Sequence, residues 1–299
     1  MTIRSALHSS IPRLRKAGID SASLDAEVIL AWCLKKDRVY VLAHTEKSLT
    51  PAQEKKFNAA IKKRVKRVPV AYITGKKEFF GLDFSVTRDT LIPRPETEHL
   101  VEEVLTYLAS TSQRTEIIDI GTGSGAIALA LASRAPKNVH ITTLEKSKKA
   151  LMVAKKNAKL LGLSKKITFK KSDLLSALST NYLPTGQAGE LRTTNFPILI
   201  SNLPYLSTKE YQTSIKRYPE MRYEPRAAFV GGANGMSVFN IFFKQLSHLC
   251  TTGTHVFLEI GPKQGLAIKK LTKKNLPGAE LSFRLDECGK PRIAHISIP

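Results

Sequence analysis

Residues 117 to 125 read Ile117-Ile118-Asp119-Ile120-Gly121-Thr122-Gly123-Ser124-Gly125, and the alanine-rich run from Ala126 follows at once. An apolar run closed by glycines predicts a buried strand emptying into a turn that opens a helix. Glycines there let the backbone approach a ligand closely and leave helix N-terminal N–H groups facing it. Further on, strands and helices alternate: Val139 to Leu144, a helix from Ser147 to Leu161 closed by Gly162, Ile167 to Lys171, Ile198 to Ser201 and Val256 to Ile260. Such alternation predicts an α/β fold with a mostly parallel sheet and crossover helices. Leu281 to Leu285 and Arg292 to Ile298 lie close together in sequence, so they are expected to pair antiparallel at the sheet edge.

Upstream the pattern changes. Residues 1–75 read as short amphipathic helices, with Leu24, Val28, Ala31 and Trp32 forming one apolar stripe. Thr50, Pro51 and Gln53 spell a capping box at the start of another helix. That helix runs into Lys62-Lys63-Arg64-Val65-Lys66-Arg67, read as an exposed basic face and an alternative docking patch. Residues 76–96 alternate around Gly81, Pro93 and Pro95 and predict a β-hairpin connector, which leaves residues 97–299 for the ligand-binding domain. The polar stretch from Leu178 to Phe196 is expected to be a surface-loop insertion.

Composition narrows the class. The 299 residues are 42% hydrophobic and 24% charged with 17 glycines, which excludes coiled coil, collagen and wholesale disorder. Cys33, Cys250 and Cys288 are too scattered for a disulfide framework or a structural metal site, so a reducing, cytoplasmic setting is expected and no metal. No apolar run suits a signal core or a membrane span. The formal net charge of +22, denser in the first 80 residues, reads either as a lysine bias of solvated faces or as a surface steered toward RNA, a ribonucleoprotein or an acidic protein.

Three strand ends carry ligand-type residues. The spacing Gly121-Thr122-Gly123-Ser124-Gly125 is Gly-x-Gly-x-Gly, which favours the amino-acid part of S-adenosyl-L-methionine over a pyrophosphate. Glu145, 24 residues after Gly121, ends the next strand and can accept both ribose hydroxyls, while Asp173 follows the third strand and can meet an adenine amino group. After the fourth strand stands Asn202-Leu203-Pro204-Tyr205, whose chemistry suits a planar nitrogen nucleophile. An amide nitrogen has a delocalised lone pair and gives up planarity before it attacks. The Asn202 side-chain carbonyl and the Leu203 backbone carbonyl can accept its two N–H hydrogens together, and Tyr205 can stack on the planar group.

With these motifs, the chain resembles the bacterial protein-glutamine N5-methyltransferases, the family that includes the enzymes acting on peptide chain release factors. The resemblance rests on Tyr72-Ile73-Thr74-Gly75, on Leu91-Ile92-Pro93-Arg94-Pro95-Glu96-Thr97-Glu98 and on the turn from Asp119 to Gly125. It continues through Asn202 to Tyr205, Tyr223-Glu224-Pro225-Arg226, Gly235, Leu258-Glu259-Ile260-Gly261 with Gln264, and Gly289-Lys290-Pro291-Arg292-Ile293. It implies a Rossmann-like class I methyltransferase sheet behind a small helical substrate-docking domain. It implies transfer of a methyl group to the glutamine side-chain amide in the Gly-Gly-Gln motif of class-1 release factors. By the same resemblance Leu174 joins Gly121 to Gly125, Glu145 and Asn202 at the cofactor, Asn202 to Tyr205 hold the glutamine, and Arg94 and Glu224 fall at the substrate. Leu203 stands where the family usually has proline, Glu145 where aspartate is usual, and Leu174 where an aromatic is frequent. Two alternative substrates share the same clamp chemistry: a ribosomal-protein glutamine, and an exocyclic base amine of RNA or DNA. A third reading is a non-catalytic basic binding module.

Overall fold

The computed structural model describes residues 1–110, 116–136, 139–178, 198–250 and 252–299. The expected insertion before the fourth strand thus lies, apart from Leu178, outside the described residues. The chain divides into two compact units, one of Met1–Lys76 with Ile215–Tyr223 and one of Lys77–Ser214 with Glu224–Pro299. The first is therefore discontinuous, a feature that sequence-based boundaries at 75 and 96 do not contain.

Five helices build the first unit: α1 (Ile3–Lys16), α2 (Ala22–Leu34), α3 (Arg38–Ala43), α4 (Pro51–Val65) and α5 (Val70–Thr74). The Thr50 hydroxyl accepts the Gln53 N–H, and the Gln53 side chain accepts the Thr50 N–H, closing the capping box that the sequence predicted. The stripe expected on α2 holds at Ala31 and Trp32 and is corrected at Leu24. Leu24 is 44% exposed, and the buried positions are Ala22, Asp25, Ala26, Ile29, Leu30, Ala31 and Cys33. α2 packs against α1, α3, α4 and α5, and a helix covered on several sides has no single apolar face to read. The basic run is corrected at one position too. Lys62, Lys63 and Lys66 are exposed, but Arg64 is buried, donating to Asp25 at 2.6 Å, to the Val68 carbonyl at 3.3 Å and to Glu220 at 2.9 Å.

The second unit opens with a two-stranded hairpin, β1 (Lys76–Phe79) and β2 (Leu82–Ser85), and then α6 (Glu98–Ser110). The rest is β3 (Glu116–Ile120), α7 (Ala126–Arg134), β4 (His140–Glu145), α8 (Lys148–Leu160), β5 (Ile167–Lys171), β6 (Ile198–Asn202), α9 (Thr208–Arg217), whose end from Ile215 on belongs to the first unit, α10 (Ser237–Leu246), β7 (His255–Glu259), α11 (Gly265–Asn275), β8 (Glu280–Leu285) and β9 (Pro291–Ser297). These strands make one sheet ordered β5-β4-β3-β6-β7-β9-β8, parallel except where β9 pairs with β7 and β8. The antiparallel pair falls at the expected edge, with β9 rather than β8 innermost. The order reverses between β3 and β6, and in open α/β sheets that reversal point is where ligands bind. The core holds Ile118, Ile120, Leu199, Val256 and Leu258 from the strands and Phe239, Phe242 and Phe243 from α10. No helix among the described residues is long and apolar enough to cross a membrane.

One polar cluster on the sheet yields a stability prediction. His255 Nδ1 lies 3.0 Å from His295 Nε2, the Tyr107 ring packs tilted against His255 at 4.3 Å, and Phe257 lies parallel to His295 at 4.2 Å. Burial, with the neighbouring His295, pushes His255 down to about 4, and burial lowers His295 as well. Unfolded histidine protonates near pH 6.5, so stability is lost as pH falls from there through the depressed folded values. Asp119, pushed up to about 7 mainly by burial, gives the opposite slope between pH 3.8 and 7. The difference in Tm between the wild type and His295→Phe isolates the pair: it should shrink steadily from pH 6.5 to 4. A constant difference would rule the pair out as the source.

Candidate active site

The turn after β3 adopts the conformation that its glycines permit. Gly121, Gly123 and Gly125 all have positive φ, at 75°, 57° and 83°. Their surroundings differ. Among the described residues a Cβ on Gly121 would meet nothing within 4 Å, whereas one on Gly125 would lie 2.9 Å from Leu129 Cδ1 and 3.3 Å from Ala154 Cβ. Gly121 thus faces open space, and Gly125 is where α7 closes onto α8. Asp119 is fully buried beneath the turn; its Oδ2 accepts the Thr122 hydroxyl at 2.6 Å, while its Oδ1 finds no hydrogen bond among the described residues. A thermal comparison separates the two glycines: Gly125→Ala should lower Tm clearly more than Gly121→Ala, although both place alanine at positive φ at a cost of about 1–2 kcal/mol. Equal losses would refute the distinction.

Glu145, at the end of β4, accepts the Gly123 N–H at 2.9 Å and the Ser147 N–H at 2.7 Å, one on each oxygen. It ties the glycine turn to the start of α8, and each oxygen retains lone-pair capacity for a ribose hydroxyl. Asp173 is exposed and pairs with Lys146 Nζ at 2.7 Å. Leu174 takes the left-handed φ of 53° and rests against the core. An adenosine-containing ligand fits these strand ends: the cradle over Gly121 is open and the carboxylates at the next two strands are placed beside it in the sheet order.

Register brings the second motif to the first. Ile120 pairs with Ser201 across β3 and β6, and the Ser201 hydroxyl donates to the Ile120 carbonyl at 2.5 Å, so Gly121 and Asn202 continue from adjacent strands side by side. Asn202 in turn pairs with Glu259 across β6 and β7. The Asn202 Nδ2 donates to Glu259 Oε2 at 2.8 Å and to Thr97 Oγ1 at 3.1 Å, and Thr97 donates to the same Glu259 oxygen at 2.6 Å. Neither Asn202 Oδ1 nor the Leu203 carbonyl accepts a hydrogen bond among the described residues. The Leu203 side chain, 2% exposed, is sunk into the core and anchors the turn where a proline ring would otherwise stiffen it.

Pro204 and Tyr205 lie against a second loop. Leu206 donates to the Phe229 carbonyl at 2.8 Å and Gly231 donates to the Leu206 carbonyl at 2.9 Å. A Cβ on Gly231 would strike the Pro204 carbonyl oxygen, and one on Gly235 the Tyr205 carbonyl oxygen. Gln264 fastens this contact, donating to the Tyr205 carbonyl at 3.0 Å and to the Gly235 carbonyl at 3.1 Å. Burial, then the Glu259 carboxylate, pushes the Tyr205 phenol up, so it stays protonated. Glu224 is buried with both oxygens committed inside the fold, one to Arg94 at 2.5 Å and one to the Ile92 N–H at 2.9 Å. Arg94 remains half-exposed, 5.9 Å from the Phe229 ring centroid.

Sequence reasoning about the site missed Thr97, Glu259 and Gln264 as working groups. All three stood in stretches that carried the family resemblance, but only side-chain geometry shows what they touch.

Comparison with known proteins gives this architecture its class. The family described as "Methyltransferase domain" matches residues 111–205, and that described as "PrmC N-terminal domain" matches residues 5–75. The catalytic domain of human METTL16, solved with a hairpin of the MAT2A 3′UTR, has the same fold at a TM-score of 0.54 and 16% identity, covering 83% of this chain and 82% of that one. The chain is thus built as a methyltransferase of the S-adenosylmethionine-dependent kind. It is 38% identical to the release factor glutamine methyltransferase of Moorella thermoacetica over 91% of this chain and 90% of the other, and 33% identical to that of Bacillus cereus over 98% of each. The Salmonella typhimurium enzyme is 34% identical over 90% and 89%. The chain belongs to the release factor glutamine methyltransferase family.

Proposed function

We propose that the chain methylates N5 of the glutamine in the Gly-Gly-Gln motif of class-1 release factors, with S-adenosyl-L-methionine as donor. The observation that carries this reading is the register that sets Gly121 beside Asn202, because it joins a cofactor turn to an amide clamp. The cofactor, when bound, supplies a methyl group on a sulfonium that leaves readily. The protein's own groups do the rest. Gly121 to Gly125, Glu145, Asp173 and Leu174 form the cofactor cradle, with Asn202 at its edge. Asn202 Oδ1 and the Leu203 carbonyl accept the two amide hydrogens, which holds the nitrogen with its lone pair turned toward the methyl group, and one of these two protons is released to solvent once the nitrogen carries the methyl. Pro204 and Tyr205 bound the planar amide, and the protonated phenol brings no charge to it. Arg94 meets the substrate chain, and Glu224 holds Arg94.

The helical first unit serves as the docking domain for the release factor, with the hairpin as its connector to the catalytic domain. Arg13, Lys16, Lys62 and Lys66 line one depression on that unit and support a contact with ribosomal RNA. Free thiols at Cys33, Cys250 and Cys288 suit work in the cytoplasm.

The test is methyl transfer from labelled S-adenosylmethionine to purified release factor, to its Gly-Gly-Gln glutamine-to-alanine variant, to ribosomal RNA and to ribosomal proteins. Label on the intact factor alone is expected. Label on RNA or ribosomal protein instead would move the substrate assignment.

A further inference from the structure

We infer that Glu259 and Thr97 are positioning residues that decide which end of the Asn202 amide meets the substrate. This rests on the reading of Asn202 as the amide clamp. Asparagine presents an acceptor on one side and two donors on the other, and the two orientations have nearly the same shape. Only one of them can accept substrate hydrogens; the flipped one would set N–H against N–H.

The groups behind Asn202 select between them. Glu259 Oε2 receives the Thr97 hydroxyl hydrogen at 2.6 Å, so Thr97 has only lone pairs left for Asn202. The Asn202 amide therefore faces two acceptors, at 2.8 and 3.1 Å, and both require its nitrogen. A flipped Asn202 would bring its oxygen against a carboxylate oxygen and a hydroxyl oxygen with no proton between them. Thr97 is 5% and Glu259 4% exposed, so water does not easily replace either partner. Strand pairing supplies the rest, since β6 and β7 carry Asn202 and Glu259 as direct neighbours.

The arrangement needs Glu259 ionised, because a protonated carboxyl would become a donor able to hold the flipped amide. The groups facing Glu259 are Glu96 and Thr97 from the turn before α6, Asn202 and Tyr205 from β6 and the turn after it, and Arg292 from β9. Burial is foremost in raising Glu259 above the usual glutamate range, with Glu96 adding to it and Thr97, Arg292 and Asn202 opposing it. The carboxylate is thus lost as pH falls through that raised value, and kcat should fall with it.

The test compares Thr97→Ser, Thr97→Val and Glu259→Gln under saturating substrate, with cofactor affinity measured separately by calorimetry without substrate. Thr97→Ser retains the hydroxyl and should stay near wild type. Thr97→Val and Glu259→Gln should each lower kcat about 10- to 100-fold, the scale expected for a misoriented reacting group, while Kd for S-adenosylmethionine changes less than about twofold. The acid limb of the kcat profile should disappear in Glu259→Gln. In an Asn202→Ala background, Glu259→Gln should add no further loss. Unchanged kcat in Thr97→Val, full additivity in the double variant, or parallel loss of cofactor affinity would each overturn the role.

A substrate-free readout separates this from the substrate assignment. The Asn202 side-chain amide protons, identified in ¹⁵N spectra by their absence in Asn202→Ala, should exchange slowly in the wild type and faster in Thr97→Val. If wild type fails to label release factor, the substrate assignment is wrong. The exchange rates then still decide the role of Thr97 and Glu259, and equal rates would refute it.

Discussion

Asn202→Ala should lower turnover on release factor by about 10²- to 10³-fold, or roughly 3–4 kcal/mol of transition-state stabilisation. The reason lies in what the side chain leaves open. Its nitrogen is spent on Glu259 and Thr97, so its oxygen is the free acceptor at the point where the reacting amide would sit. An attacking amide develops positive charge on nitrogen, and an acceptor on its N–H matters more there than in the ground state. The substitution should therefore reduce kcat far more than it raises the KM for release factor. Cofactor Kd should change little, because the Gly121 cradle and Glu145 stand on β3 and β4. Asn202→Asp is the informative companion: it retains an acceptor of the same size but sets a carboxylate against Glu259 and Thr97. Both substitutions should be poor enzymes that still bind S-adenosylmethionine. Equal loss of cofactor binding and turnover in Asn202→Ala would contradict the clamp.

Arg64→Ala should destabilise the first unit by about 3–5 kcal/mol, since it leaves a buried carboxylate without its partner. The Arg64 side chain is 7% and that of Asp25 10% exposed, and the two meet at 2.6 Å. Its second bond, to Glu220, joins Arg67 in a network closed by a 2.9 Å contact between Arg67 and the same carboxylate. Removing Arg64 leaves Asp25 without an ion-pair partner, while Glu220 keeps Arg67. Replacing both inner charges, as in Asp25→Leu with Arg64→Met, should recover most of the loss, because apolar residues of similar volume need no compensation when buried. Thermal denaturation of the three proteins checks this. A double variant as unstable as Arg64→Ala would show that the pair also fixes a conformation that packing alone does not.

Much of the catalytic unit was legible in the sequence because its signals are local. The glycine turn needs positive φ at fixed positions, and the alternation of apolar strands with helices leaves few topologies open. The capping box at Thr50 is local in the same sense. Signals that depend on a helix's surroundings failed. α2 is enclosed by four other helices, so the stripe holds at Ala31 and Trp32 but fails at Leu24, and the wider burial around the helix was not legible. Arg64 lay in a run of lysines and arginines, and nothing in that run distinguishes the one side chain that finds a carboxylate 39 residues away. The site shows the same division. Asn202 and the glycines are recognisable by type and spacing, whereas Thr97 and Glu259 meet Asn202 across 105 and 57 residues of chain. Sheet register brings Glu259 to Asn202, and the turn before α6 brings Thr97.

The discontinuity of the first unit has a consequence for biosynthesis. Glu220, which closes the Arg64 and Arg67 network, is translated long after the helices it joins. A nascent chain that has emerged only as far as Lys76 carries five helices in which Arg64 has only Asp25 and Arg67 still awaits its acid. The N-terminal unit reaches its final form only when Tyr223 has left the ribosome, so its completion is timed by synthesis of the strands that hold Gly121 and Asn202.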